Sequence, residues 1–161
     1  MDCVQRATHH ITPGGGRPGG KPSADSRAPF SWPLRVYYED TDSSGVVYHA
    51  NYLRFMERAR TEWLRSLGFE QDRLRDKLAI QFVVVEANVA FRRPARFNDE
   101  LTVTTAVREV GRASIVFDQE VRTAAPQPAE ICTGGIRVAC IDSRDFKPKP
   151  LPPELLTELE R

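Results

Sequence analysis

Tyr37-Tyr38-Glu39-Asp40-Thr41-Asp42-Ser43-Ser44-Gly45-Val46-Val47-Tyr48-His49-Ala50-Asn51-Tyr52 is the stretch around which the rest of the chain is organised. It gathers three carboxylates, a glycine, an imidazole and the start of a helical pattern that runs to about Leu67. Glycine adopts backbone angles that other residues resist and serine side chains cap turns, so Ser43-Ser44-Gly45 predicts a chain reversal. No other segment combines so many reactive groups with a helix N-terminus, and this stretch is the predicted active site.

The pattern that follows is that of one long amphipathic helix. Its apolar positions recur at helical spacing on one face: Tyr52, Phe55, Met56, Ala59, Trp63 and Leu67. Asn51 is a candidate N-cap and Gly68 a candidate stop. So much aromatic surface on one face requires a large apolar cover.

Runs of β-type residues supply that cover. One run precedes the turn and four follow the helix, at residues 31–38, 80–91, 101–108, 115–122 and 131–141. Turn signals separate the last four and leave no room for a long helix between them, so consecutive strands are expected to pair antiparallel. A short polar helix before the second run and a short C-terminal helix complete the pattern. The predicted fold is α+β, an antiparallel sheet of about five strands wrapped around one long helix.

Length and composition favour a single folded domain at residues 30–161. The first 29 residues hold five of the ten glycines and four prolines with almost nothing to bury, which predicts a disordered arm. Four basic residues in this arm leave a transit peptide open, although glycine runs make a poor amphipathic helix. No window approaches the roughly 18 apolar residues of a membrane span. We therefore expect no integral membrane span and a cytoplasmic location.

Charge and cysteine content exclude further classes of function. A net charge of +1 gives no electrostatic argument for a nucleic-acid partner. Cys3, Cys132 and Cys140 lack the spacing of metal ligands, so no metal site is predicted, and the last two lie in an apolar strand as expected core thiols. Gly134-Gly135 in the same strand predicts a bulge or a close backbone approach.

The turn and the helix start together suggest chemistry on an acyl group. The first N–H groups of a helix have no acceptor within it and carry partial positive charge, so they can polarise a carbonyl. Asp42 is placed to attack that carbonyl, as a nucleophile that forms a mixed anhydride or as a base that deprotonates water. The sequence leaves both routes open. His49 is suited to orient the water or an acid.

Structural explanations compete with each of these assignments. An Asp before Ser-Ser-Gly is most often an Asx-turn residue, and a lone His at a helix start is often a cap. Tyr38 and Tyr48 are equally compatible with core or interface packing. The sequence contains no Gly-x-Ser-x-Gly elbow and no metal-spaced histidines. The other two histidines fall in the N-terminal arm, so His49 is the one that a folded site could use.

Asp42-x-x-Gly45-Val46-Val47-Tyr48-His49-x-Asn51-Tyr52, with Glu57-Arg58-Ala59-Arg60-Thr61-Glu62 after it, closely resembles a known family. The resemblance is to the acyl-CoA thioesterases associated with the Tol-Pal system, in the 4-hydroxybenzoyl-CoA thioesterase family of hotdog folds. It extends from about Trp32 to Leu156 and includes Pro94-Ala95-Arg96.

This resemblance implies hydrolysis of acyl-CoA without metal or cofactor, in dimers or pairs of dimers with sites at subunit interfaces. It implies that Asp42 is the catalytic carboxylate, assisted by His49 and Tyr38, and that the amide of His49 polarises the carbonyl. It also places Tyr48 and Asn51 around the substrate.

The CoA nucleotide is the part of the substrate that the resemblance covers least. A basic cluster contacts the CoA phosphates in the 4-hydroxybenzoyl enzyme, whereas Val110-Gly111-Arg112-Ala113-Ser114 contains a single arginine. Arg112 and Ser114 are the candidates in this stretch, and Arg96 is a candidate elsewhere.

The leading hypothesis is a thioesterase acting on acyl-CoA or on acyl groups carried by acyl carrier protein. A non-hydrolysing acyl-CoA or carrier-protein binding module is the alternative from another class. A hotdog dehydratase is a weaker alternative, since the motif lacks the dehydratase His and carboxylate arrangement.

Overall fold

A five-stranded antiparallel sheet carries one long helix in this computed structural model, which describes residues 28–124 and 126–160. The strands are β1 (Phe30–Arg35), β2 (Ile80–Phe91), β3 (Glu100–Val110), β4 (Ser114–Thr123) and β5 (Glu130–Asp142). The helices are α1 (His49–Ser66), α2 (Gln71–Leu78) and α3 (Pro153–Glu160). The predicted α+β hotdog architecture is confirmed, whereas nearly all of the predicted arm at residues 1–29 lies outside the described residues.

The sheet has the order β1-β3-β4-β5-β2, so β1 and β2 are its edges. The strands that follow each other in sequence, β3, β4 and β5, also pair with each other, because short turns join them. β2 pairs with β5 along its whole length, with a register shift between Val84 and Glu86. β1 ends at Arg35, earlier than predicted, because residues 38–40 form a 3-10 turn.

The core lies between α1 and one face of the sheet. Tyr52, Phe55, Met56, Ala59 and Trp63 are buried as the helical periodicity predicted, and Trp63 packs edge-on against Phe117 of β4 with ring centroids 5.0 Å apart. These contacts remove most of the aromatic surface of α1 from water, which is the main source of stability for such a helix.

The ends of α1 follow local geometry. Gly68 takes φ +88° directly after the helix and permits the left-handed exit that was predicted for it. The helix begins at His49 with Tyr48 as N-cap, so the prediction of Asn51 as N-cap is wrong. Asn51 is in the first turn, where its backbone N–H donates to Tyr48 O at 2.8 Å, and its side chain serves the loop instead.

β5 approaches α1 closely at Gly134. A Cβ at Gly134 would lie 2.8 Å from Met56 Sδ, so a larger residue would require the Met56 side chain to move. The close neighbour is a side chain and not backbone, and the pairings of β5 show no register shift at Gly134-Gly135, so neither the predicted bulge nor a close backbone approach is found there. Cys132 and Cys140 are free and fully buried in the same strand. No helix in the described part of the chain is long and apolar enough to cross a bilayer.

Candidate active site

A buried carboxylate fixes the geometry between the first strand and α1. Asp40 is 6% exposed, and its Oδ2 accepts the backbone N–H of Tyr37 at 2.8 Å. Its carbonyl oxygen accepts two hydrogen bonds from the start of α1, from the Tyr48 N–H at 2.9 Å and from the Asn51 side-chain amide at 3.0 Å. These contacts hold the 3-10 turn against the helix N-terminus. Asn51, 7% exposed, is therefore a positioning residue in this chain, and its contact with substrate stays a prediction.

The loop between them is a small hairpin. Asp42 N–H donates to Val46 O and Gly45 N–H donates to Asp42 O, each at 3.0 Å, with Gly45 at φ +73°. The returning arm is attached to a second segment, because Val47 N–H donates to Ala95 O at 2.8 Å and Val46 pairs with Arg96. The loop is thus held on both sides, which limits the positions open to the Asp42 side chain.

The Asp42 carboxylate is exposed and has one oxygen engaged. Oδ1 accepts the Ser44 N–H at 2.8 Å, which is the Asx-turn contact that competes with the catalytic assignment. Oδ2 accepts no hydrogen bond from any described residue. The turn contact orients the carboxylate while leaving its second oxygen available to a substrate or a water.

The N-terminus of α1 presents unpaired donors next to this loop. Tyr48 has extended angles (φ −60°, ψ 130°) and its side chain does not cap the helix. Within the described part of the chain, the amides of His49 and Ala50 donate to no acceptor. Unpaired amides at the positive end of a helix dipole can bind a carbonyl or an oxyanion.

Aromatic side chains surround this helix start. The His49 ring is exposed, lies 4.5 Å from the Tyr48 ring and meets Phe91 of β2 edge-on at 6.2 Å. Tyr52, one turn further along, accepts the Ala95 N–H with its hydroxyl at 3.0 Å, and burial raises the pKa of Tyr52, so it stays a neutral phenol. The helix start is therefore attached to the segment that also holds the hairpin.

The Tyr38 side chain is exposed beside the Asp42 loop, and its catalytic role stays a prediction. Its ring is 75% exposed and stacks on Phe97, with centroids 3.8 Å apart and planes 10° apart. Arg96, next to Phe97, is exposed, and its backbone N–H donates to Asp99 at 2.8 Å. The structure thus brings Tyr38, Asp42, Tyr48, His49 and Arg96 to one end of the sheet.

Arg112 and Ser114 lie at the other end of the sheet. They belong to the tight turn between β3 and β4, where Gly111 N–H donates to Ser114 O at 2.8 Å. The start of β3 adjoins the site, since Val36 N–H donates to Asp99 O at 3.0 Å. β3 then runs for roughly 30 Å at the usual rise of a strand. The structure does not bring Arg112 and Ser114 to the Asp42 site of the same chain.

Two features of the site went unnoticed at the sequence level. Phe91 and Phe97, which contact His49 and Tyr38, are both substantially exposed. An apolar residue at the end of a strand or beside a turn gives no signal of its own, and only their position next to Pro94-Ala95-Arg96 could have drawn attention to them. No three His, Cys, Asp or Glu side chains in the described residues are grouped as metal ligands would be.

The profile of the Thioesterase superfamily matches residues 44–129. The chain belongs to this superfamily. Among curated relatives of this superfamily member, the acyl-CoA thioesterase YbgC of Haemophilus influenzae is 44% identical over 126 residues, which is 78% of this chain and 90% of that protein. The acyl-CoA thioester hydrolase YbgC of Escherichia coli O157:H7 is 40% identical over 82% of this chain and 96% of its own length.

Solved thioesterases share the fold of this superfamily member. A probable thioesterase from Bartonella henselae superposes with a TM-score of 0.73 at 35% identity, covering 78% of this chain and all of that chain. A 1,4-dihydroxy-2-naphthoyl-CoA thioesterase from Synechocystis superposes with a TM-score of 0.75 at 25% identity, over 82% of this chain and 96% of the other.

Proposed function

We propose that this chain is a thioester hydrolase that cleaves acyl-CoA to the free acid and the CoA thiol. The observation that carries the proposal is that residues 42–50 contain both a carboxylate oxygen with no partner among the described residues and two unpaired amides of a helix N-terminus. The named activities of its YbgC relatives support the same substrate class.

The unpaired amides and the Asp42 carboxylate have complementary roles in such a reaction. The thioester oxygen would accept hydrogen bonds from the amides of His49 and Ala50, which strengthen as negative charge develops on it. In one route Asp42 would take a proton from water as that water attacks the carbonyl carbon, and the acid forms as the C–S bond breaks. In the other, Asp42 would attack the carbonyl carbon itself and form a mixed anhydride as the C–S bond breaks, and water would then hydrolyse the anhydride to the acid and the free Asp42 carboxylate. In both routes the thiolate leaves and is then protonated. The exposed His49 side chain would orient the water or protonate the thiolate, and the Tyr38 side chain would cover the outer edge of the site.

The direct test measures thiol release from a panel of acyl-CoAs by the wild type and by Asp42→Asn. Asparagine keeps the Asx-turn acceptor but removes the charge, so we expect kcat to fall by about 10²- to 10⁴-fold with CoA binding retained. Glu39→Gln, an exposed carboxyl in the same loop, is the matched control and should keep wild-type turnover. Absence of turnover by the wild type would reject hydrolysis and favour the binding-only module.

We propose further that two copies of the chain complete the site. Asp42, Tyr48 and His49 are exposed on a single chain, whereas polarising amides act strongly only where water is excluded. The neighbouring strand β2, 12 residues long, pairs on one side only within the part of the chain that the structure describes, and it exposes Val84 (51%) and Val85 (57%). Long apolar edges of this kind are normally covered.

A second copy is the natural cover, because a strand pairs with itself antiparallel about a two-fold axis. In such a pair, residues 111–113 of the second copy would lie at the same end of the combined sheet as Asp42 of the first copy. Arg112 and Ser114 would then serve the partner's site. This arrangement reconciles their predicted role in CoA binding with their distance from the site of their own chain.

Light scattering tests the pairing. We expect at least twice the chain mass of 18.2 kDa for the wild type. Val85→Lys, which places like charges across the proposed axis, should give monomers with little activity, while the same charge in an exposed loop, Gln127→Lys, should change neither. A fully active monomer would reject the shared site.

Association with the Tol-Pal system, a cytoplasmic location and action on acyl carrier protein stay predictions.

A further inference from the structure

A groove runs along the flank of α1 that faces β2. Its first part, about 320 Å³, begins at Leu53 and Arg54, one helical turn after His49, and is floored by Ala87 and Ile136. Its second part, a cavity of about 90 Å³, continues between Leu64, Phe82, Ile115, Phe117 and Val138. Glu57, Arg60 and Val84 line both parts, so the two adjoin each other along α1 at these residues.

One cation is half-buried in this apolar groove. Arg60 Nη1 donates to Gln119 Oε1 at 2.6 Å. Gln119 is itself fixed, because its Nε2 donates to Met56 O at 2.9 Å and to Thr105 Oγ1 at 2.8 Å. Burial lowers the pKa of Arg60 to about 10, so the guanidinium remains charged at neutral pH. The amide network therefore holds a positive charge at a defined point of the groove.

This charge has no ionic partner among the described residues. The nearest acid in the groove, Glu57, influences Arg60 through space but makes no salt bridge with it, and its Oε1 accepts the Thr61 hydroxyl at 2.9 Å. The remaining N–H groups of Arg60 meet no acceptor in the described part of the chain. A guanidinium that is removed from water while its N–H groups have no acceptor lowers the stability of the fold. An acceptor supplied by a ligand would offset that loss.

The position of Arg60 sets a distance. Its side chain reaches Gln119 beside the carbonyl of Met56. Met56 is six to seven residues from Ala50 and His49, which is about 10 Å along a helix. An acyl chain of about eight carbons spans roughly 9 Å from its carbonyl carbon, since bonds of about 1.5 Å follow a zigzag. A polar atom at the end of such a chain would lie within hydrogen-bond distance of the guanidinium.

We propose that Arg60 binds a hydrogen-bond acceptor, a carboxylate or a hydroxyl, at the far end of the acyl group while the thioester lies at the start of α1. The apolar walls cover the methylene groups between these two ends. This inference rests on the proposed hydrolysis and specifies its substrate class: medium-length acyl groups with a polar tip. Fully apolar chains of the same length would leave the remaining N–H groups of the guanidinium without an acceptor.

The test compares three CoA thioesters of equal length: octanoyl, 8-hydroxyoctanoyl and the monothioester of octanedioic acid. A hydrogen bond to a charged group is worth about 1.5–3 kcal/mol, so we expect the wild type to favour at least one tipped substrate by about 10- to 100-fold in kcat/KM. The preference should lie mainly in KM, because the tip is bound equally in the ground state and the transition state. Comparing the hydroxyl-tipped with the carboxylate-tipped substrate identifies which acceptor Arg60 binds, because the negative charge of Glu57 in the same groove disfavours a carboxylate more than a hydroxyl.

Arg60→Met keeps an unbranched side chain and removes the charge, and it should reverse the ratio in favour of octanoyl-CoA. Arg58→Met, an exposed arginine on the other flank of α1, is the matched control and should preserve the wild-type ratio. Equal kcat/KM for all three substrates in the wild type would overturn the inference even if Arg60→Met fails to fold. Absence of thiol release from any substrate, butanoyl-CoA included, would instead reject the proposed hydrolysis.

Discussion

The buried amide of Gln119 offers a quantitative test of how α1 is held on the sheet. Gln119 is 3% exposed and makes three hydrogen bonds, to Met56 O, to Thr105 Oγ1 and from Arg60. Gln119→Leu removes all three without leaving a large cavity, because leucine is similar in size. The buried Thr105 hydroxyl then loses its donor, and the Arg60 guanidinium loses its acceptor.

The expected loss follows from those contacts. Two neutral hydrogen bonds contribute about 1 kcal/mol each and the bond to a charged group about 2 kcal/mol, so the free energy of unfolding should fall by about 4 kcal/mol. With a urea m-value of about 2 kcal/mol/M, the unfolding midpoint should move down by about 2 M. Gln127→Leu, in an exposed loop, should stay within about 0.5 kcal/mol of the wild type.

Urea unfolding followed by tryptophan fluorescence and by circular dichroism measures this change. Adding Arg60→Met to Gln119→Leu should cost much less than Arg60→Met does alone, because removing both polar partners leaves none unsatisfied. A loss below about 1 kcal/mol at an unchanged m-value, or strictly additive effects of the two substitutions, would refute the description of this network.

Three further changes test other parts of the fold. Gly134→Ala places a Cβ 2.8 Å from the buried methionine sulfur of α1 and should destabilise by about 1–3 kcal/mol, whereas Gly135→Ala, with its nearest neighbour at 3.5 Å, should be close to neutral in the same urea titration. Ala79 ends α2 at φ +49°, so Ala79→Gly should raise the melting temperature through a gain of about 0.5–1 kcal/mol, and a decrease would contradict strain at this position. Burial raises the pKa of Cys132 and Cys140 to about 11; in a Cys3→Ser background both should therefore resist thiol reagents at pH 8 until the protein unfolds. Because these thiols keep their protons in the folded state above their usual pKa, they should make stability fall as pH rises from 9 toward 11.

The sequence predicted the architecture well because the periodicities are strong and local. Apolar residues at helical spacing from Tyr52 to Trp63 define the buried face of α1, and alternation defines which sides of β3 and β4 are buried. Gln119 shows how an irregularity in such a pattern can be informative. It is polar at an inward position between Phe117 and Val121. This break in the apolar pattern is the sequence signal of the buried network.

Features that depend on contacts between distant segments were not predictable. Asn51 is a reasonable N-cap by residue type, but the hydrogen bond from Tyr48 to Asp40 places the N-cap three residues earlier, at Tyr48. The apolar run that includes Val84 and Val85 gave no means of separating a core strand from an exposed edge. A pattern in one chain also does not reveal which end of the sheet a turn occupies, which is why Arg112 was grouped with a site roughly 30 Å away.

The two buried polar networks of this protein act on the same helix, and together they explain why its site is precise. The Asp40 carbonyl fixes the N-terminus of α1 relative to the Asp42 hairpin, and the Gln119 amide fixes its middle relative to β4. A rigid helix held at two points keeps its terminal amides and the Arg60 guanidinium at a constant separation of about 10 Å. Displacement of α1 along its axis would therefore move the carbonyl-binding end and the tip-binding end together. Gln119→Leu, although far from Asp42, removes the acceptor that anchors the Arg60 guanidinium, so it should weaken the preference for a polar tip as well as lower stability.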